Sequence, residues 1–190
     1  MNEIFTSTVI VGILTSAVRL ATPYLYASIG EAFAQTSGVV NLGVDGIMLV
    51  GGFAGFYVTL ITGNVWLGLL AAMIAGLLMG LLMSVISVTL KAEQGISGIG
   101  LYMFGLGLSS LLFKELVGTV KTIDGFSAVR IPLLGNIPYL GDIFFNQSIL
   151  VYAGYLLVPV AYLWIDHTRP GMHLRAVGEE LPGGGGARLV

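Results

Sequence analysis

The sequence predicts an all-α fold, a polytopic membrane helix bundle of about six membrane segments. Three observations predict it. Of 190 residues 56% are apolar and only 9% charged, long apolar stretches recur along the chain, and small residues stand at helical spacing within them. A soluble domain carries roughly 25% charged residues. Eight basic and ten acidic residues with two histidines cannot clothe the exterior of a chain this size in polar groups, so most of its surface meets lipid.

A hydrocarbon core about 30 Å thick needs close to 20 apolar residues in helical rise, because backbone amides there must be satisfied within their own segment. Residues 4–21 read as the first span, with Arg19 near enough to its end to snorkel. Pro23 marks a break or kink after it. Residues 24–42 are interrupted by Glu31, Gln35, Thr36 and Ser37 and read as a discontinuous or partly buried helix; five spans plus a re-entrant piece is the alternative. Residues 43–62 begin weakly polar at Gly43 and Asp45 and are then uncharged. Residues 65–90 form the longest stretch, residues 95–113 follow the short polar step of Lys91, Ala92, Glu93 and Gln94, and residues 148–165 are the last. A transmembrane domain thus occupies 1–165 and a polar segment 166–190. The N-terminus has no basic region and no evident cleavage site, so it is not read as a removed signal peptide.

The longest stretch carries Gly68, Ala72, Gly76, Gly80 and Ser84, a small residue at every fourth position. Lipid tails and leucine are equally apolar, so close backbone approach along such a stripe is a main source of packing energy between membrane helices. Gly51 and Gly55 repeat the device. Residues 114–147 form a loop with Pro132 and Pro138, too apolar for an unstructured connector; it is expected to lie on the membrane surface or on a partner. Orientation is not decided by charge, since Lys91, Arg169 and Arg175 on one side balance Lys114, Lys121 and Arg130 on the other.

Several function classes are excluded. A net charge of −2 without a basic cluster gives no footing for a nucleic acid polymer. The absence of cysteine removes thiolate catalysis, disulfides and cysteine metal sites. His167 and His173, six apart, share no helical face, so no metal is expected. Gly183 to Gly186 are followed by Ala187 and Arg188, without the lysine and hydroxyl of a phosphate-binding loop. Gly105 and Gly107 lie inside a span and read as helix packing, not as a dinucleotide fingerprint. No nucleophile, histidine and acid constellation is visible, so no catalytic residue and no cofactor is expected.

What remains is a polar island in apolar surroundings: Glu31, Gln35, Thr36, Ser37, Asn41 and Asp45. Ionisable groups at membrane depth are costly by at least about 2.5 kcal/mol each on insertion scales, so they face a cavity or a partner helix. Gly38, Gly43 and Gly46 permit an unwound stretch beside them. The island is either a substrate path or gate, or an aqueous boundary between two short spans. Tyr102, with Tyr24, Tyr26, Phe56 and Phe104, offers rings for stacking against bases or sugars, although such rings also pack or anchor. A second polar cluster, residues 166–179, follows the last span, with Pro170 placed to begin a short helix.

Three passages carry a family resemblance: Ala21, Thr22 and Pro23 leading into residues 36–46; residues 131–141; and Thr168 to Gly171 with residues 174–179. Over most of residues 20–179 the chain resembles the permease subunits of bacterial ABC importers for nucleosides and simple sugars. These belong to the branched-chain amino acid and ribose-type permease superfamily, in the group linked to basic-membrane-lipoprotein binding proteins. The resemblance implies a multi-pass subunit of the bacterial plasma (inner) membrane, working with a second permease subunit as homo- or heterodimer, with cytoplasmic ABC ATPase subunits and with a substrate-binding lipoprotein. It makes the end of the last span cytoplasmic, the 114–147 loop external, and Arg169, Gly171, Arg175, Gly178 and Glu179 part of the segment that couples to the ATPase. Glu31, Gln35, Asn41, Asp45 and Tyr102 are the substrate-path candidates. After Glu179 the resemblance fails, and relative to the family the chain is expected to be truncated, ending in a Gly-rich tail that opposes helix. An ion-coupled secondary transporter using Glu31 and Asp45, and a non-transporting fragment, are the alternatives.

Overall fold

The computed structural model describes residues 7–132 and 134–180. Their order is α1 (Ser7–Thr36), α2 (Val44–Thr62), α3 (Val65–Ser84) continuing as a π-helical segment (Val85–Thr89), α4 (Gln94–Leu116), β1 (Ala128–Arg130), a 3-10 turn (Leu134–Asn136), α5 (Leu140–Phe144), β2 (Asn146–Ser148), α6 (Ile149–His167) and α7 (Arg169–Glu180). Among them α1, α2, α3 with its π-helical segment, α4 and α6 are long and apolar enough to cross a membrane.

Five such helices stand where about six segments are expected, and the difference lies at Pro23. The expected segments 4–21 and 24–42 are one helix, α1, with Pro23 in its interior. Proline removes the hydrogen bond to the carbonyl of Arg19. In membrane helices such gaps are tolerated; one residue earlier, Thr22 donates its hydroxyl to the Val18 carbonyl at 2.8 Å. The helix ends at Thr36 and leaves 37–43 outside it, so the unwound stretch falls where Gly38 and Gly43 allow it. No separate re-entrant piece stands between α1 and α2. Residues 4–6 of the first expected segment and the Gly-rich tail from 181 onward lie outside the described residues.

The chain divides into two compact units, and α1 contributes to both: residues 7–29 go with Phe126–Thr168, and Gly30–Gly125 go with Arg169–Glu180 among the described residues.

In the unit of Gly30–Gly125, α2, α3 and α4 pack through small residues. Gly63 ends α2 in the left-handed region at φ 67°, its amide donating to the Thr59 carbonyl at 2.8 Å, a conformation a side chain would strain. Asn64 then caps α3, its Oδ1 accepting from the amides of Trp66 (2.9 Å) and Leu67 (3.4 Å). This tight reversal sets an antiparallel register. A Cβ on Gly68 would lie 2.7 Å from the Gly55 carbonyl oxygen, one on Gly51 would lie 3.4 Å from the Ala72 carbonyl oxygen, and one on Gly76 would lie 3.9 Å from Ile47. The next step of the stripe, Gly80, meets nothing within 4 Å, and Ser84 is exposed. The register explains this: the partner position for Gly80 falls at Gly43, where α2 begins. Against α4 the approach is closer. A Cβ on Gly46 would stand 2.7 Å from the Leu101 carbonyl oxygen, and one on Gly105 would overlap the Gly46 carbonyl. Gly107 meets nothing within 4 Å. Val50, Met79, Met83 and Leu101 form the buried cluster, with Ile47, Ala75 and Leu108 packed on it.

The expected loop 114–147, of which residues 126–147 belong to the other unit, is partly structured. α4 runs on to Leu116, β1 and β2 pair antiparallel with Val129 opposite Gln147, and α5 sits between them with Ile143 buried. Tyr152 fastens the pair by donating to the Val129 carbonyl (2.8 Å) and accepting from the Gln147 amide (3.0 Å). Tyr26 on α1 donates to the Leu150 carbonyl at 2.8 Å.

Gly105→Ala is expected to destabilise the protein by about 1–3 kcal/mol, the usual range for overpacking, seen as a lowered thermal midpoint in detergent. Gly80→Ala should leave the midpoint unchanged or slightly raised; equal losses at both positions would refute the α2–α4 contact as the source.

Candidate functional site

The polar island becomes a turn held from three sides, all within the unit of Gly30–Gly125 and α7. At the end of α1 the amides of Ser37, Gly38 and Val39 fold back to carbonyls of the last helical turn, with Gly38 to Gln35 at 2.9 Å and Val39 to Ala34 at 3.0 Å. Gly38 takes φ 84°, which reverses the chain. Beyond Val39 side chains supply the acceptors. Gln94 Oε1 accepts from the Val40 amide at 2.9 Å, and Glu31 Oε1 accepts from the Asn41 amide at 3.0 Å. Glu31 Oε1 also accepts from Gln35 Nε2 at 3.1 Å, the i to i+4 pair on one face of α1. Asn41 Oδ1 accepts from the Gly43 amide at 2.8 Å and so leads the chain into α2.

Glu31, Gln35 and Asn41 therefore form one network. Asp45 is exposed in the first turn of α2, where its charge suits the helix N-terminus, and it is not part of that network. Tyr102 turns its backbone to α2, with its Cα 2.7 Å from a Cβ built on Gly46, while its side chain is 37% exposed. The structure thus joins three of the five path candidates. Gln94 belongs with them and the sequence reading left it in a polar step. Its signal was modest: an uncharged amide in the first turn of an apolar helix.

α7 begins at Arg169, with Pro170 in its first turn, where a missing amide proton does no harm. Gly171 and Gly178, seven apart, are buried, while Arg169, Arg175 and Glu179 are exposed. A Cβ on Gly178 would overlap the Thr36 carbonyl oxygen and stand 3.0 Å from the Gly38 amide nitrogen. One glycine of α7 is thus seated directly on the turn that Glu31 and Gln94 hold.

Beside the turn, Glu93 caps α4. Its carboxylate accepts from the amides of Ile96 at 2.5 Å and Gly95 at 2.9 Å, and these bonds, Ile96 first, hold it below the usual glutamate range. His167 stands against the Tyr162 ring at 5.7 Å. Among the described residues no three acidic, histidine or cysteine side chains gather to hold a metal.

Residues 13–181 match the family described as the branched-chain amino acid transport system permease component. The chain belongs to this family. Together with the apolar helices, that makes it a multi-pass membrane protein. It is 35% identical to a putative glucose ABC transporter permease protein of Haloferax volcanii, over 89% of this chain and 52% of the relative. It is 34% identical to a guanosine ABC transporter permease protein of Bacillus subtilis, over 88% of the chain and 56% of the relative. To a nucleoside ABC transporter permease protein of Lactococcus lactis the identity is also 34%, over 94% and 58%. The chain spans about half the length of these curated relatives. No solved structure matches it significantly.

Because the Glu93 carboxylate is held below its ordinary value, the folded state binds its proton more weakly than the unfolded state does. Its stabilising share is present above the ordinary glutamate value of about 4.3 and is lost as pH falls through the lowered folded value. Glu93→Gln is expected to flatten that part of the stability profile, measured as thermal midpoint against pH between about 5 and 3. An unaltered profile would refute the capping role.

Proposed function

We propose that the chain forms the transmembrane permease part of an ATP-driven ABC importer in the bacterial inner membrane, carrying nucleosides or related simple sugars. The observation that carries the coupling is Gly178 of α7 lying on the Thr36–Gly38 turn. A helix outside the spans, touching the one non-helical junction between α1 and α2, can move that junction when a partner moves the helix. The partners are cytoplasmic ABC ATPase subunits at α7, through Arg169, Arg175 and Glu179; a second permease subunit; and a substrate-binding lipoprotein at the 114–147 loop. Hydrolysis belongs to the ATPase, and this chain contributes the passage and the conformational relay.

In this reading Glu31, Gln35 and Asn41 act as a hinge beside the path, and Asp45 and Tyr102, whose side chains are exposed, are the candidates that face a solute. The substrate class rests on the relatives named for guanosine, nucleosides and glucose. The hinge role also weighs against an ion-coupled carrier, which would need Glu31 free to take its ion, whereas that carboxylate already accepts from Gln35 and from the Asn41 amide.

Uptake of radiolabelled nucleoside by cells producing the complete assembly is expected to stop when the ATPase is made hydrolysis-deficient and to persist when an ionophore collapses the ion gradients. The reverse pattern would establish the carrier, and no uptake under either condition a non-transporting scaffold. Gly178→Val is expected to lower uptake at least about tenfold while ATP hydrolysis continues, since the added branch displaces α7 from the turn. Arg175→Ala is expected to reduce co-purification of the ATPase; undiminished co-purification would remove Arg175 from that interface.

A further inference from the structure

Within the unit of residues 7–29 and Phe126–Thr168 there is a cavity of about 300 Å³ lined by Arg19, Thr22, Pro23, Phe126, Ala128, Ser148, Leu150 and Val151. We propose that this cavity is a phosphate site, in which Arg19 and the Ser148 hydroxyl bind either the phosphate of a lipid headgroup or free inorganic phosphate. Neither the family relationship nor the transport reading above assigns it a role.

Arg19 is the decisive group. It lies in the interior of α1 rather than at a helix end, and its Nε donates to Gln147 Oε1 at 3.0 Å. Gln147 is completely buried, and its own Nε2 is committed to the carbonyls of Ile143 (2.7 Å) and Thr15 (3.3 Å). The guanidinium is thereby oriented through Nε, and its two terminal amino groups remain. Among the described residues no carboxylate pairs with it. A neutral amide orients an arginine but does not compensate its charge, and arginine does not deprotonate in proteins. Arg19 is exposed, so this permanent cation is open to an anion from outside the chain.

The remaining wall favours phosphate. Terminal guanidinium nitrogens bind two oxygens of one anion in parallel. The Ser148 hydroxyl has no partner among the described residues, and its side chain does not cap α6, so its proton can go to a third oxygen. Ser148 also marks the start of an apolar helix long enough to span a membrane, the level at which lipid phosphates lie. Pro23, Phe126, Ala128 and Val151 give apolar sides suited to a glycerol backbone. The volume is at the lower end of ligand cavities, about 300–1,000 Å³, which suits a headgroup.

The test uses the full chain, delipidated in detergent, with three probes at fixed ionic strength: short-chain phosphatidylglycerol, inorganic phosphate and a short-chain diacylglycerol lacking phosphate. Saturable one-to-one binding is expected for at least one phosphate probe, read by 31P line broadening and native mass spectrometry, with none for the diacylglycerol. Phosphatidylglycerol alone identifies the source as lipid, and inorganic phosphate identifies it as free phosphate. Arg19→Gln is expected to weaken binding about tenfold or more, as loss of a charge-assisted contact implies, while Arg19→Lys recovers part of it. Should Arg19→Gln abolish the melting transition, Ser148→Ala carries the test and is expected to weaken binding several-fold. The proposal falls if no phosphate probe binds, if diacylglycerol binds equally, or if a folded Arg19→Gln or Ser148→Ala protein binds as the unaltered chain does.

Discussion

A backbone amide outside a helix needs an acceptor from elsewhere, and the junction between α1 and α2 is where this chain meets that constraint most sharply. Helices satisfy their own amides, but Val40 and Asn41 lie past the last amide that folds back on α1. Gln94 takes the Val40 amide and Glu31 takes the Asn41 amide, so a residue of α4 and a residue of α1 jointly complete a turn belonging to neither. Once the turn is held, α2 leaves it in the direction that brings Gly46 against Leu101 and Gly105. The same turn is the floor on which Gly178 rests. Helix packing and the proposed relay from α7 thus depend on the same few acceptor atoms.

The other unit obeys the same rule with different groups. Gln147 is fully buried, yet its backbone amide and both side-chain polar atoms are engaged, by Tyr152, Arg19, Thr15 and Ile143. Tyr152 completes the circuit by reaching Val129 across the strand pair. In both networks polar side chains supply partners to backbone groups. Arg19 differs, because its charge exceeds anything its neutral neighbour can offset.

The apolar helices were legible in the residues alone because apolar length is a local property. Residues 43–62, 65–90, 95–113 and 148–165 correspond closely to α2, α3 with its π-helical segment, α4 and α6. Pro23 misled because a proline advertises the one bond it removes, while the rest of the helical ladder on both sides of it carries α1 through. The stripe from Gly68 to Ser84 was legible as a pattern, but its useful length was not. Each step of four along α3 meets a step of four back along α2, and α2 begins at Val44, so Gly80 and Ser84 run past their partner.

By itself the sequence determined that the chain is a helix bundle for a lipid solvent, because composition and apolar run length state the transfer free energy of each segment directly. It also marked Glu31, Gln35 and Asn41 as costly polar groups needing partners. Only the tertiary structure decided which partners those are, since Gln94 and Gly178 are remote in the chain and meet the 37–43 turn through packing. Hydrogen bonds between distant residues depend on helix register, which is set by how closely glycines let backbones approach and which no local pattern records.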